Sequence, residues 1–199
     1  GNITSRPYID MTLSILNKFG VYTKFNDNTI IIKPKKDEII NTEYKVEADW
    51  SSASYFFSIV ALSKNIELSF LNFRKDSFQG DINVCKYYEL FGVKTTFQNG
   101  KLIIKKSTDF NYPEKIIIDL KDNPDLAQTI IVTAFGLNIP TKLTGLSTLK
   151  VKETDRIEAL RNELTNLGAS CIIDDESIEF FKSNKLNKNY IINTYDDHR

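Results

Sequence analysis

The sequence is poor in several things at once. It has two cysteines, Cys85 and Cys171, too far apart for a metal-binding or redox motif, so they read as reduced packing thiols in a cytoplasmic protein. No excess charge of either sign is present: 26 Lys and Arg balance 26 Asp and Glu. A net charge of zero builds no field for nucleic acid or an anionic membrane. Long hydrophobic runs are missing as well; stretches such as "IIVTAFGL" are far short of a membrane span. The first residues, "GNITSRPY", show no apolar core behind a basic flank, so no signal peptide is expected. Histidine is nearly absent. The single one, His198, stands beside Arg199 directly after two aspartates, where an ordinary chain would carry a dispensable charged tail.

What is present is a recurring unit. "PYIDMTLSILNKFG" runs into "VYTKFNDNTIIIKP", "GDINVCKYYELFG" into "VKTTFQNGKLIIKK", and "TDRIEALRNELTNLG" into "ASCIIDDESIEFFK". Each opens with a helical pattern: Ile9, Leu13, Leu16 and Phe19 share a face, as do Val84, Tyr88 and Phe91, and Ile157, Leu160, Leu164 and Leu167. Each pattern stops at a glycine suited to a left-handed C-terminal cap, Gly20, Gly92 or Gly168. Pro7 suits a first helical turn, and Asp155 with Glu158 suits a capping box. A β-hairpin follows each time, with turns at 26–28, Asn99-Gly100 and Asp174-Asp175. Between hairpins lies a small-residue helix and then a strand: "DWSSASYFFSIVALSK" before "IELSFL", "NPDLAQTIIVTAFGLN" before "TKLTGL". Those helices are apolar almost all round, which predicts burial. The repeat is β-α-β-α-β-β. A further step of that period lands on "YDDHR", which is expected to open a third buried helix, so that the chain looks cut at both ends.

Three charged clusters precede or begin helices: "DNPDLAQT", "LKVKETDRIEAL" and "TYDDHR". The cap explains Asp155. It does not explain Lys152 and Arg156, because cations at a helix N-terminus oppose the dipole unless an anion is bound. Arg156 and Arg199 suit bidentate recognition of carboxylate or phosphate, with Asp125 and Glu153 as acid–base candidates among them. Ordinary surface ion pairs are the competing reading.

In this order, "SRPYIDMT", "EADWSSASYF", "NPDLAQT", "KETDRI" and "TYDDHR" resemble the 5-enolpyruvylshikimate-3-phosphate synthase family, across essentially the whole chain. The resemblance implies an α/β (α+β) fold of repeated βαβαββ units, a two-domain inside-out α/β barrel that is incomplete here. Residues 1–46 would end one domain, 47–106 and 107–193 would be two units of the other, and 194–199 would start a third. The crossover would fall at Glu47 to Asp49. The implied activity moves the enolpyruvyl group of phosphoenolpyruvate to the 5-hydroxyl of shikimate 3-phosphate, releasing phosphate. No cofactor or metal is implied, no nucleic-acid or membrane partner, and the full-length family member is expected to be monomeric. Ser5 would bind the 3-phosphate, and Tyr8 and Lys152 the same substrate. Asp125 would face the 5-hydroxyl, Glu153 would handle the proton at the phosphoenolpyruvate methylene, and Arg156 and Arg199 would hold phosphoenolpyruvate. His198 would be positional.

Some positions depart from the family's pattern. Trp50 stands where many relatives have alanine and suits packing or a local surface role, Asp49 reads as an N-cap, and Thr148 replaces an asparagine that touches substrate in some members. The chain carries no glycine-serine-lysine motif, no "GNAGT"-like loop and no serine-serine-glutamine stretch. Turnover by the chain alone is therefore not expected, since sites that act as a unit lose activity steeply when members are missing. Two alternatives stay open: the related UDP-N-acetylglucosamine enolpyruvyl transferase, which needs a loop cysteine, and a non-catalytic repeat or clamp protein.

Overall fold

Helix α1 (Arg6–Lys18) is followed by the hairpin β1 (Tyr22–Asn26) and β2 (Thr29–Lys33), a two-stranded sheet of its own, in the computed structural model, which describes residues 3–34, 43–184 and 186–198. Gly20, at φ 80°, adopts the left-handed backbone that ends the helix. Ser5 at the head of α1 is itself left-handed, and its side chain makes no cap. The hairpin buries little: Ile30, Ile31 and Ile32 are all exposed.

The next two stretches repeat one plan. The first has α2 (Trp50–Leu62), β3 (Glu67–Leu71), α3 (Val84–Glu89), β4 (Val93–Gln98) and β5 (Lys101–Lys106), with strand order β3-β5-β4. The second has β6 (Ile116–Asp119), α4 (Ala127–Leu137), β7 (Thr141–Thr144), α5 (Arg156–Asn166), β8 (Ser170–Ile173) and β9 (Ile178–Phe181), ordered β6-β7-β9-β8. The parallel β6–β7 pair is joined through α4, as a parallel connection requires. Residues 43–49 take the place of β6 in the first stretch without forming a ladder. A vestige of the pairing survives there: the Ala48 N–H donates to the Asn72 carbonyl at 2.9 Å. Its counterpart 72 residues on, Leu120 to Thr144, is also 2.9 Å.

The long helices α2 and α4 pack together at the centre. Thr133 of α4 donates to Ser58 of α2 at 2.7 Å and lies 3.0 Å from the Tyr88 hydroxyl. The core runs from Phe57, Tyr88 and Phe91 through Leu126, Ile130 and Ile131 to Leu143 and Phe180. Asp49 caps α2 by accepting from the Ser51 and Ser52 amides at 2.9 and 3.2 Å. Trp50 is wholly buried, edge-on to Phe73 at 4.8 Å, so of its two expected roles it takes packing.

Two expectations fail here. Helix α2 is not buried all round, since Tyr55, Phe56, Ile59 and Leu62 stay exposed along one side; uniform hydrophobicity does not say which faces find a neighbour. The capping box of α5 is half made. Asp155 accepts from the Glu158 amide at 3.1 Å, but the Glu158 carboxylate turns outward to pair with Arg161, the stronger donor.

One buried cation ties the first stretch together. Lys106, 7 % exposed, donates to the carbonyls of Ala61 (2.6 Å) and Phe91 (3.0 Å) and to the Tyr112 hydroxyl (2.6 Å). It thus closes the C-terminal ends of α2 and α3, where carbonyls lack helical partners and the dipole favours a positive charge.

Candidate active site

Two chain turns meet at Arg156. One is the 3₁₀ turn Pro124–Leu126 ahead of α4, buried at Pro124 and Leu126, which fixes Asp125 between them. The other is the 3₁₀ turn Ser147–Val151 and the residues leading into α5, which carry Lys152 and Glu153. Arg156 is the first residue of α5 and is 3 % exposed. Its guanidinium reaches Asp125 at 3.0 Å, Glu153 at 2.7 Å and Asp197 through two bonds at 2.7 and 2.9 Å. Lys152 adds a contact to Asp125 at 3.5 Å. Burial works against the charge on Arg156, but its hydrogen bond to Asp197 and the nearby carboxylates outweigh this and raise its pKa. It is a permanent cation in a sheltered place.

Tyr8 approaches from α1. Its phenol is pushed well above the ordinary range by burial first, then by the charge and hydrogen bond of Asp81 and by the charge of Asp125. It therefore remains a neutral donor. Asp81 also takes the Ser51 hydroxyl in a buried hydrogen bond. Helix α1 is drawn to this place by the Ser5 amide, which donates to the Lys121 carbonyl at 3.0 Å, and by close packing of Pro7 on Gly80. A Cβ at Gly80 would lie 2.6 Å from Pro7.

The structure thus gathers Asp125, Lys152, Glu153 and Arg156 directly, with Tyr8 close enough to feel Asp125. Ser5 is linked to the cluster only through the backbone, its amide donating to the carbonyl of Lys121, four positions before Asp125. Arg199 lies outside the described residues. His198 is 64 % exposed, with Nδ1 3.4 Å from Glu153 and 3.6 Å from Asp197. Glu153, Asp197 and His198 each bring a ligand atom within 4.8 Å of one another, but carboxylate oxygens of the first two already face the guanidinium, which acts as their cation. Thr148 keeps a buried hydroxyl oxygen with no partner among the described residues. Cys85 lies in α3 and Cys171 in β8, so neither occupies a loop as the alternative transferase reading needs, and burial pushes both thiols up to about 11.

Asp197 is the member of the cluster that the sequence patterns did not single out. Its signal was its place in "TYDDHR" two residues before an arginine, yet nothing in spacing could tell a paired carboxylate from a solvated one. A cavity of about 270 Å³ reaches Arg156 and Asp197 from the side of α4 and α5; Ser5, Tyr8, Asp125 and Lys152 do not line it.

Comparison with known proteins points one way. The protein-family description "EPSP synthase (3-phosphoshikimate 1-carboxyvinyltransferase)" matches residues 1–199. The 3-phosphoshikimate 1-carboxyvinyltransferase of Bacteroides fragilis is 37% identical over 202 residues, covering 100% of this chain and 48% of that protein. The one from Buchnera aphidicola is 35% identical over 204 residues, covering 99% of this chain and 45% of that protein. The chain spans about half the length of these curated relatives. Among solved structures, an EPSP synthase from Acinetobacter baumannii has a TM-score of 0.60 at 21% identity, over 86% of this chain and 40% of that one. The enolpyruvyl transferase NikO from Streptomyces tendae has a TM-score of 0.55 at 11% identity, over 90% and 40%. These two likenesses concern the fold.

Proposed function

The chain belongs to the EPSP synthase family, and from that premise we propose that it carries one part of the site that transfers the enolpyruvyl group of phosphoenolpyruvate to shikimate 3-phosphate. The observation that carries this reading is the convergence of four side chains from two separate motifs, Asp125 from one and Lys152, Glu153 and Arg156 from the other. Asp125 and Glu153 both lie on Arg156, and Lys152 stands 3.5 Å from Asp125. Residues 47–106 and 107–193 are read as successive units of one domain, with 1–46 the end of another and the crossover at Glu47 to Asp49.

Each group has a task in an addition–elimination. Arg156 holds the phosphoenolpyruvate carboxylate through paired N–H donors, the geometry for which a guanidinium is suited. Asp125 accepts the proton of the 5-hydroxyl as its oxygen bonds to C2 of phosphoenolpyruvate. A proton that Glu153 first takes up from solvent reaches the methylene carbon at the same stage, giving a tetrahedral adduct. Glu153 takes a proton back from the resulting methyl group as phosphate departs, and the new enol ether double bond forms. Lys152 offsets charge at the shikimate 3-phosphate side, where Tyr8 donates as a neutral phenol and Ser5 offers a hydroxyl to the 3-phosphate. Preorganised charge and positioning supply most of the rate in such a site.

The charge count limits what the chain can do by itself. Arg156 and Lys152 face Asp125, Glu153 and Asp197, so the cluster is net negative before an anionic substrate arrives. Further cations are needed to hold two phosphorylated acids, and the lysine-bearing glycine-serine-lysine motif is not in this sequence. We therefore expect no phosphate release from both substrates by chain 1–199, with shikimate 3-phosphate raising its melting temperature and UDP-N-acetylglucosamine leaving it unchanged. Appreciable turnover would overturn the first expectation. Protection by the nucleotide sugar alone would move the chain to the related transferase.

A further inference from the structure

Asp81 is a carboxylate that the chemistry above does not use, and it is completely buried. It sits in the short 3₁₀ turn Gly80–Asn83 that leads into α3, and this turn is held from several sides. Just before it, the Gln79 side chain accepts from the Trp50 amide and donates to the Ala48 carbonyl, both at 2.9 Å, which ties it to the head of α2. At its end, Asn83 donates to Asn123 at 2.9 Å, and Asn123 is buried two positions before Asp125. Gly80 is where α1 comes closest, because Pro7 fills the space that a Cβ there would need. The turn therefore joins α1, the head of α2 and the approach to Asp125.

Two hydroxyls meet the Asp81 carboxylate. Ser51, in the first turn of α2 and 6% exposed, donates to it. Tyr8, in the first turn of α1, is hydrogen-bonded both to Asp81 and to Ser51. A phenol at the edge of a helix swings about two side-chain bonds unless its far end is held, and here the far end is held by a buried group that cannot itself move. Burying a carboxylate is costly, and an uncharged side chain of the same shape would fill the turn as well. What the charge adds is a strong acceptor, since hydrogen bonds with one ionised partner are about twice as strong as neutral ones.

We propose that Asp81 is a positioning residue for substrate binding: with Ser51 as its brace, it holds the Tyr8 phenol in place at the shikimate 3-phosphate side of the site. The inference rests on the reading of Tyr8 as a contact of that substrate. Asp81 touches no reacting atom and acts through the phenol alone. A contact side chain fixed in advance does not have to be ordered when the ligand arrives, which is worth roughly two- to tenfold in affinity. The same turn reaches Asn123, so the phenol on α1 and the Asp125 carboxylate ahead of α4 are set against one common frame.

The test is a double-mutant cycle on chain 1–199: wild type, Asp81→Asn, Tyr8→Phe and the double variant. The dissociation constant for shikimate 3-phosphate is read by calorimetry, with melting temperature and near-ultraviolet circular dichroism as checks on folding. Asp81→Asn is expected to bind roughly three- to tenfold more weakly, from the lost preordering of Tyr8. Tyr8→Phe should lose at least as much, and the double variant no more than Tyr8→Phe alone, because the two residues act as one. A merely structural aspartate would give losses that multiply in the double variant, and that result would overturn the proposal. So would wild-type affinity in Asp81→Asn. The same cycle run with Ser51→Ala in place of Asp81→Asn reads the coupling without touching the carboxylate; a smaller loss that vanishes in the Tyr8→Phe background is expected, and multiplying losses there count against the proposal equally. Wild-type affinity in Tyr8→Phe would overturn Tyr8 as a contact and the role of Asp81 with it. Absence of shikimate 3-phosphate binding by the wild-type chain would instead overturn the reading of the site on which the proposal rests.

Discussion

Replacing Arg156 with methionine removes the positive centre and leaves three carboxylates behind. Breaking a buried ion pair from one side costs about 3–5 kcal/mol, because the abandoned charge stays in low dielectric. The structure argues for less. Glu153 is 46% exposed and turns to water freely, and Asp197, although its side chain is 4% exposed, ends the exposed run 191–196, which can move with it. Asp125, at 16% exposure, is the carboxylate that cannot move, and Lys152 at 3.5 Å partly compensates it. The expected loss is therefore about 2–3 kcal/mol, less than the full penalty for a buried pair. For a domain of this size that corresponds to a fall in melting temperature of roughly 5–10 °C. Urea unfolding followed by circular dichroism measures the first quantity, and scanning calorimetry the second. The double variant with Asp197→Asn should lose little more than Arg156→Met alone, since both remove the same bonds. A loss under about 0.5 kcal/mol, the range of ordinary surface substitutions, would refute the claim that Arg156 organises the cluster.

Lys106→Met strands the Ala61 and Phe91 carbonyls, so a loss of about 2 kcal/mol is expected by the same unfolding measurement, from the cost of leaving buried acceptors unpaired. Asp155→Ala removes the cap of α5 and should cost about 1 kcal/mol, with Asp155→Asn close to wild type. Cys85 and Cys171, with pKa values pushed up to about 11 by burial, should alkylate slowly in the native chain at neutral pH and quickly once unfolded. Their raised values lie above those of the unfolded chain, so their contribution to stability is complete at neutral pH. It falls away as the pH climbs through the usual thiol range towards 11, which urea titrations at pH 7 and 10 would detect.

Much of this architecture was legible because it is locally encoded. Gly20, Gly92 and Gly168 end helices at positive φ, at 80°, 75° and 102°, where a side chain would be strained. Hairpin turns fall where Asn99-Gly100 and Asp174-Asp175 placed them, and Asp49 and Asp155 cap the helices they precede. The convergence of Asp125, Lys152, Glu153 and Arg156 was legible only as residue types at helix starts, and its assignment to a chemistry came from the resemblance.

What stayed hidden depends on contacts between distant segments. The bond from Arg156 to Asp197 spans 41 residues, and no pattern in "TYDDHR" distinguishes a buried ion-pair partner from a solvated tail. Lys106 carries the composition of an exposed strand end, yet it is buried because two helix ends converge on it from elsewhere in the chain. The exposed side of α2 was hidden for the opposite reason. Tyr55, Ile59 and Leu62 have the hydrophobicity of core residues, and hydrophobicity records no neighbour.

The central claim is that the motifs gathered around Asp125 and Arg156 form a shikimate 3-phosphate site. A crystal structure of the chain soaked with shikimate 3-phosphate tests it most directly. The 3-phosphate is expected at the head of α1, within reach of the Ser5 hydroxyl, with the 5-hydroxyl against the Asp125 carboxylate and Lys152 beside it. Ligand bound elsewhere on the molecule, or soaked crystals in which Asp125 and Lys152 contact no ligand, would contradict it.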